Sequence, residues 1–299
     1  MNIATQTKAL LDYGIERDGG ATYRGHLRDA IAELTDAFDA KVDPYPRSHL
    51  GASLIGTSCL RALWYGFRWT YTKPISARLQ RLFNRGHLEE GRFIAIFRAA
   101  GLQVATLGDN GKQFRFDGCG DYYGGSLDAM VYGLPESPRE WFLSEFKTHS
   151  DKSFKKLQKE GVASAKPEHY AQMQQYMAAY GLQKALYVAV NKNDDELHCE
   201  IVTFDTTNHQ HHAAKAAYIV AARELPPRIS ASPVAFGCKY CDARDVCFGS
   251  APAIKGCRTC AHVEMPGGGK WVCGRYGKDL DKAAQFTGCP AWEPINDEL

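Results

Sequence analysis

Gly124-Gly-Ser-Leu-Asp-Ala-Met-Val-Tyr-Gly133 is followed by a turn-rich gap, Leu134 to Arg139, and then by Glu140-Trp-Phe-Leu-Ser-Glu-Phe-Lys-Thr-His149. The two apolar runs predict adjacent strands joined by a Pro-containing hairpin loop. Each run carries an acid where a buried strand should be apolar, Asp128 in the first and Glu145 in the second, with Lys147 two residues on. Side chains along a strand alternate faces, so Glu145 and Lys147 share one face while Phe146 points to the other. Two carboxylates and an amine on one sheet face make a place for a hard divalent cation. Mg²⁺ and Mn²⁺ take oxygen ligands and keep several waters, so Asp128, Glu145 and the backbone carbonyl of Phe146 would suffice. The competing reading is a surface hairpin with an exposed salt bridge. It sits poorly with Asp128 beside Leu127 and Ala129-Met-Val131, and with Glu145 inside Phe142-Leu-Ser-Glu-Phe146.

Outward from this hairpin, the pattern is strands over 102–107, 113–116, 126–132 and 141–148. Helices follow over 153–159 and 167–180, the second with Pro at its first turn and Gly181 at its end. Strands over 185–190 and 197–204 and an Ala-rich helix over 206–225 complete it, and Pro226-Pro227 ends the core. Strands flanked by helices, with a crossover before Ala185, predict a mixed α/β sheet with helices packed on it. Upstream, Leu27, Ile31, Leu34 and Phe38 fall at helical spacing ahead of the Asp43-Pro-Tyr-Pro46 breaker. Ser and Thr before Cys59 are candidate caps for a helix carrying Cys59, Arg61, Trp64 and Tyr65. A long helix is expected from Ser76 to Ala100, with an inward stripe of Leu79, Phe83, His87, Glu90, Ile94 and Phe97. Alone, His87 and Glu90 read as a half-exposed histidine and acid at the edge of that stripe.

The chain has 299 residues, 44% hydrophobic, with 14 Phe, 15 Tyr and 5 Trp, enough for a substantial core and against disorder. A net charge of +2 is too mild to announce nucleic acid, so any such surface must come from local clustering. Lys152, Lys155, Lys156, Lys159 and Lys166, just downstream of the acids, form one local basic surface suited to a phosphate backbone. The N-terminus lacks a signal-peptide core, and no window approaches the roughly 18 apolar residues of a membrane span. A soluble, cytoplasmic protein is expected, with no membrane partner.

Seven of ten cysteines crowd between Cys238 and Cys289, at spacings that favour metal over disulfides in an intracellular chain. Cys238, Cys241 and Cys247 supply three thiolates, one short of a closed tetrahedral set, and Cys59 is the natural fourth. Thiolates suit iron–sulfur or zinc alike, so spacing leaves that choice open. Cys257, Cys260, Cys273 and Cys289 form a second set, with His262 able to replace a ligand. Its segment has almost no aliphatic core and needs a staple, which one Zn²⁺ provides, a second iron–sulfur cluster being the lesser reading. Cys119 and Cys199 are expected to be ordinary buried thiols. His209, His211 and His212 are expected on a surface, their spacing converging poorly.

Asp128, the step of seventeen to Glu145, and Glu145-Phe146-Lys147 resemble the D…(D/E)-x-K signature of the PD-(D/E)XK nuclease superfamily. Arg85-Gly-His-Leu-Glu-Glu90 resembles the upstream helix motif of its RecB-like branch, where the histidine is a further metal ligand. The resemblance thus implies His87 as a ligand and an extra acid at Glu89 or Glu90. Gln172-Met-Gln-Gln-Tyr176 resembles the Q-x-x-x-Y motif of RecB-type and lambda-exonuclease-like (YqaJ) members. Positions i and i+4 share a helix face, so Gln172 and Tyr176 could reach one phosphate or scaffold one ligand. The early cysteine and three late ones resemble the CRISPR-adaptation and AddB-type iron–sulfur nucleases, which implies a structural 4Fe–4S cluster on Cys59, Cys238, Cys241 and Cys247.

The resemblance implies a restriction-endonuclease-like αβββαβ core. The expected layout is a helical prelude over 1–47, a nuclease domain over 48–250 closed by the cluster, and a zinc-ribbon-like module over 251–299. The implied activity is a Mg²⁺- or Mn²⁺-dependent DNA exonuclease. Its catalytic set would be Asp128, Glu145 and Lys147, its metal ligands His87, Asp128, Glu145 and Phe146, and its DNA contacts Gln172, Tyr176, Lys155 and Lys156. It would serve phage or mobile-element recombination or repair, acting on free or single-stranded DNA ends, with a recombination or annealing protein as partner and oligomerisation open. An endonuclease or flap-type nuclease with the same site, and an adaptor with a vestigial site, are the rivals.

Overall fold

The computed structural model describes residues 1–34 and 45–299. The predicted helix over Leu27 to Phe38 is met in part, by Ala21–Glu33; Phe38 and the Asp43 breaker lie outside the described residues. Two compact units interleave along the sequence. The first comprises Met1–Val42, Ile75–Phe116 and Ser126–His209, the second Asp43–Pro74, Asp117–Gly125 and Gln210–Leu299. These bounds differ from the expected divisions after 47 and 250.

The first unit holds helices α1 (Thr5–Glu16), α2 (Ala21–Glu33) and α3 (Ala77–Ala99). Strands β1 (Gln103–Ala105), β2 (Ala129–Leu134) and β3 (Ser137–His149) follow. Helices α4 (Asp151–Ala165) and α5 (Pro167–Tyr180) lead to strands β4 (Lys184–Asn191) and β5 (Leu197–Thr203). The sheet runs β1-β2-β3-β4-β5, antiparallel throughout except for β3 and β4, which the α4–α5 crossover makes parallel. This is the mixed α/β fold that the pattern predicts, consistent with the restriction-endonuclease-like αβββαβ core that the resemblance implies.

One sheet face is apolar. Val131, Phe142, Phe146, Val188 and Ile201 pack there with Phe93, Ile94 and Phe97 of α3, and with Leu11 and Ala30 of the first two helices. Phe146 stacks on Phe93 at 4.9 Å and Phe97 at 5.7 Å. Burying one such side chain contributes roughly 1.5–3 kcal/mol, so this layer fixes α3 on the strand that carries Glu145 and Lys147.

Ser76, where the sequence starts this helix, caps α3 by accepting from Leu79 N at 3.3 Å. The inward stripe does not extend as far as expected: Phe83 is 48% exposed, and burial begins only at Glu89. Phe83 instead lines an open cavity together with Phe93, Phe146 and Lys147. Helix α5 starts on Pro167 and ends at Gly181, whose φ of 64° is one that glycine adopts without strain. Helix α4 is longer than predicted, and Gly161 breaks it at φ 73°, turning Val162 N to donate to Glu200 Oε2 at 2.9 Å.

In the second unit, Leu60–Phe67 is helical with Cys59 as N-cap and no side-chain cap, so neither Ser nor Thr caps it as predicted. Leu50–Gly51 pairs parallel with Tyr123–Ser126. The segment from Cys257 onward forms a small antiparallel sheet of Val263–Gly267, Lys270–Cys273 and Lys278–Asp279. That segment does have a core, one made of rings and guanidinium groups. Arg258, 1% exposed, lies 3.7 Å from the Trp69 ring and 4.1 Å from the Trp271 ring, and donates to Ser48 O, Phe67 O and Gln285 Oε1. The segment 251–299 therefore shares one core with residues 48–69, where the sequence predicts a self-contained module. Among the described residues no helix is long and apolar enough to cross a membrane.

Candidate active site

Asp128 lies between two strands, not inside one where the pattern places it. One strand ends at Ser126 and β2 opens at Ala129, because Asp128 Oδ2 accepts from Phe146 N at 2.8 Å across the sheet. That bond fixes Asp128 opposite the middle of β3. Glu145 and Lys147 share a face as period two requires, and Phe146 takes the other. Lys147 Nζ contacts Glu145 Oε1 and stands 3.9 Å from Asp128 Oδ2. Glu145 is fully buried, and among the described residues its Oε2 has no hydrogen-bond partner.

Burial pushes the Glu145 carboxyl above its usual range; the Lys147 charge opposes this and the Asp128 charge adds to it. Burial works against the Lys147 ammonium too, but Glu145, Asp128 and Glu90 together drive its pKa upward, so it stays charged. An unpaired carboxylate oxygen in a dry position, beside a second acid, is the environment a hard cation satisfies. Its donors are carboxylate oxygens, the ligand type that hard divalent ions take.

A cavity opens beside these groups, lined by His87, Glu89, Glu90, Lys147, His149 and His169. His87 is thus brought to the cavity that Lys147 lines. Of the two neighbouring acids, Glu89 is engaged by Arg92 Nη1 at 3.1 Å, whereas the charge of Glu90 reaches Lys147.

Gln172 and Tyr176 share a face of α5, with Gln172 Nε2 donating to Tyr176 Oη at 3.2 Å. Both are buried, Tyr176 against Phe116, and neither lines the cavity. Two of the five lysines of the predicted basic surface are compensated: Lys155 pairs with Asp151 at 2.9 Å and Lys156 with Glu160 at 3.7 Å. The i,i+4 spacing that sets these pairs was legible in the sequence.

Sequence reasoning passed over two features. The exposed turns of α3 carry Arg78, Arg81 and Arg85, and Arg81 and Arg85 line a groove with Arg92. Their spacing of three and four was the available signal. The other feature is His149, Tyr187 and His169, which the parallel register of β3 and β4 assembles. No local pattern in the sequence announces it.

In the second unit, Cys59, Cys238, Cys241 and Cys247 line one cavity, and Cys257, Cys260, Cys273 and Cys289 line another with His262. Burial first, then Cys260, Cys289 and Cys273, push the Cys257 thiol up to about 11. Cys241 is raised by burial and also by Cys59 and Cys247. The second foursome thus stands within electrostatic reach of itself, as do Cys59, Cys241 and Cys247 of the first. Even so, among the described residues no group of three or more His, Cys, Asp or Glu is arranged to hold a metal ion, the acid site included. At the acid site the reason is visible: Lys147 takes Glu145 Oε1 and the Phe146 amide takes Asp128 Oδ2. Cys199 is buried in the apolar face, as expected, and Cys119 is half-buried.

No family model matches this chain, and no curated protein matches it. Among solved structures it is similar to LHK-Exo in complex with dAMP, at 20% identity and a TM-score of 0.41, over 58% of this chain and 87% of that one. A second structure of LHK-Exo, an alkaline exonuclease from Laribacter hongkongensis, matches at 18% identity and TM-score 0.39, covering 59% and 88%. SSO0001 matches at 13% identity and TM-score 0.43, covering 76% and 96%.

Proposed function

We propose that the chain is a Mg²⁺- or Mn²⁺-dependent deoxyribonuclease of the PD-(D/E)XK kind, working as an exonuclease on free or single-stranded DNA ends. The observation that carries this reading is the unpaired, buried Oε2 of Glu145, set with Asp128 against a charged Lys147 at the wall of an open cavity. A divalent ion held by His87, Asp128, Glu145 and the Phe146 carbonyl would supply an activated water and a counter-charge for the phosphate. Lys147 keeps its proton and orients the attacking water or a phosphate oxygen. Glu90 balances that charge from α3. Arg81 and Arg85 offer the phosphate backbone a track. Gln172 and Tyr176 act on the site by holding α5 against β3 and β4.

In the same reading, Cys59, Cys238, Cys241 and Cys247 hold a 4Fe–4S cluster and Cys257, Cys260, Cys273 and Cys289 hold Zn²⁺. Both sets serve as staples of the second unit, and the shared cavity of each foursome supports this. Recombination or repair in a phage or mobile element, beside an annealing protein, is the setting such an activity fits.

Asp128→Ala and Lys147→Ala protein should no longer degrade linear DNA in Mn²⁺. Degradation at the wild-type rate by either would sink the reading. Rapid cutting of covalently closed circles would replace the exonuclease with an endonuclease, and absence of any Mn²⁺-dependent cleavage would leave an adaptor.

A further inference from the structure

Three polar side chains next to the acids have no task in the reaction as read. His149 Nε2 and His169 Nδ1 each stand 2.8 Å from the hydroxyl of Tyr187. Ser153 Oγ stands 3.4 Å from His149 Nδ1, and the two imidazoles stack with centroids 5.9 Å apart. Tyr187 lies directly opposite Glu145 in the β3–β4 register, so it shares the face of Glu145 and Lys147. Tyr187 and His149 are buried, and both histidines line the cavity with His87, Glu90 and Lys147.

A phenol carries one proton, so of the two nitrogens bonded to it one must accept and the other must donate. Only two chains satisfy this. In the first, Ser153 O–H donates to His149 Nδ1, His149 Nε2–H to Tyr187 Oη, and Tyr187 O–H to His169 Nδ1. His169 is then left with an Nε2–H for the cavity. In the second every bond is reversed, and His169 presents a lone pair instead. The cavity already holds the Lys147 cation at its wall, and a phosphodiester entering it brings an anion; an anion selects the first chain. With all protons running one way, each bond polarises the next.

Neither imidazole takes a second proton near neutrality. Burial, then Lys166, Lys147, Lys192 and His198, hold His149 down at about 4. Burial, then Lys147, His149 and Lys166, hold His169 at about 2. An uncharged imidazole kept so by its surroundings works as a hydrogen-bond donor, not as an acid or base.

We propose that His169 donates from Nε2–H to a phosphate oxygen of the DNA substrate, its tautomer set by a relay of Ser153, His149 and Tyr187. The proposal rests on the nuclease reading of this cavity. His169 is the catalytic residue, and His149 and Tyr187 position its proton.

The first test needs no turnover. Nitrogen-15 NMR of the full chain labelled in histidine, with an oligodeoxynucleotide bound in the absence of divalent ions, should show His149 and His169 neutral at pH 6, each as the Nε2–H tautomer. Tyr187→Phe should leave His169 a mixture of tautomers. An Nδ1–H tautomer at His169, or a protonated ring at pH 6, overturns the relay. In cleavage of an oligodeoxynucleotide with Mn²⁺, His169→Ala should lower kcat about 10- to 100-fold, in line with loss of one preorganised donor, with KM within about twofold. His169→Gln should recover part of kcat, and Tyr187→Phe should fall between. Wild-type kcat in His169→Ala, with Lys147→Ala inactive, overturns the relay and leaves the nuclease standing. Wild-type kcat in both overturns the two together.

Discussion

His149 offers a perturbation whose size can be worked out. It is 5% exposed and held down at about 4, first by burial and then by the positive charges of Lys166, Lys147 and Lys192. Its unfolded value is near 6.5, so the folded state binds the proton less well. Stability from this group is complete above pH 6.5, is lost as pH falls from there, and stops falling below about pH 4. At pH 5 the loss is about 2 kcal/mol, and at its limit about 3 kcal/mol. His149→Gln keeps a polar side chain but cannot take that proton. It should cost about 1–2 kcal/mol at pH 8, through the lost bond to Tyr187, yet flatten the fall between pH 8 and pH 5 by about 2 kcal/mol. Hydrogen exchange of peptides from β3 and β4, read by mass spectrometry with chelator present, reports the first unit separately. An unchanged pH dependence in the variant would refute the reasoning, because it would mean that His149 titrates normally in the fold.

Lys147→Met leaves Glu145 buried and facing Asp128 with no cation; metal-free protein should lose about 3–5 kcal/mol, and Ca²⁺ should restore part of it. Equal stability with and without Lys147 in a urea melt would contradict the pairing. Cys59→Ser should remove the broad absorbance near ~400 nm expected of anaerobically purified protein, whereas Cys257→Ser should leave that colour and release zinc. Colourless wild-type protein holding only zinc would dismiss the cluster. Arg258→Met strips four hydrogen bonds to three acceptors from a buried site and should destabilise the second unit by about 3 kcal/mol, seen as exchange in the peptide around Trp271. Arg81→Ala with Arg85→Ala should weaken DNA binding and make it less salt-dependent, measured by fluorescence anisotropy; an unaltered salt slope would remove these residues from the DNA track.

What could be read from the sequence was what local periodicity encodes. Glu145 and Lys147 share a face because strand side chains alternate, and α5 runs from Pro167 to Gly181 because those residues fit its two ends. The His149–Tyr187–His169 cluster depends on the parallel register of strands that α4 and α5 separate, which no window on the chain contains. Tyr187 reads as one more core residue of a buried strand. Phe83 shows the opposite failure, since helical spacing marks it as inward although it stands half-exposed at the wall of an open cavity. The boundary after 250 was drawn from a lack of aliphatic residues; Arg258 sandwiched near Trp69 and Trp271 replaces them with a core that hydropathy does not register.

The interleaving of the two units has a consequence for synthesis. A ribosome delivers the N-terminal end first, and domains fold as units once their residues are available. Every segment of the first unit has been delivered once His209 is out. Asp43–Pro74 and Asp117–Gly125, made much earlier, must then wait for Gln210–Leu299. In that interval Trp64, Trp69 and Cys59 are without their later partners, so a stalled or truncated chain would expose aromatic surface and a reactive thiol to the chaperones and oxidants of its host.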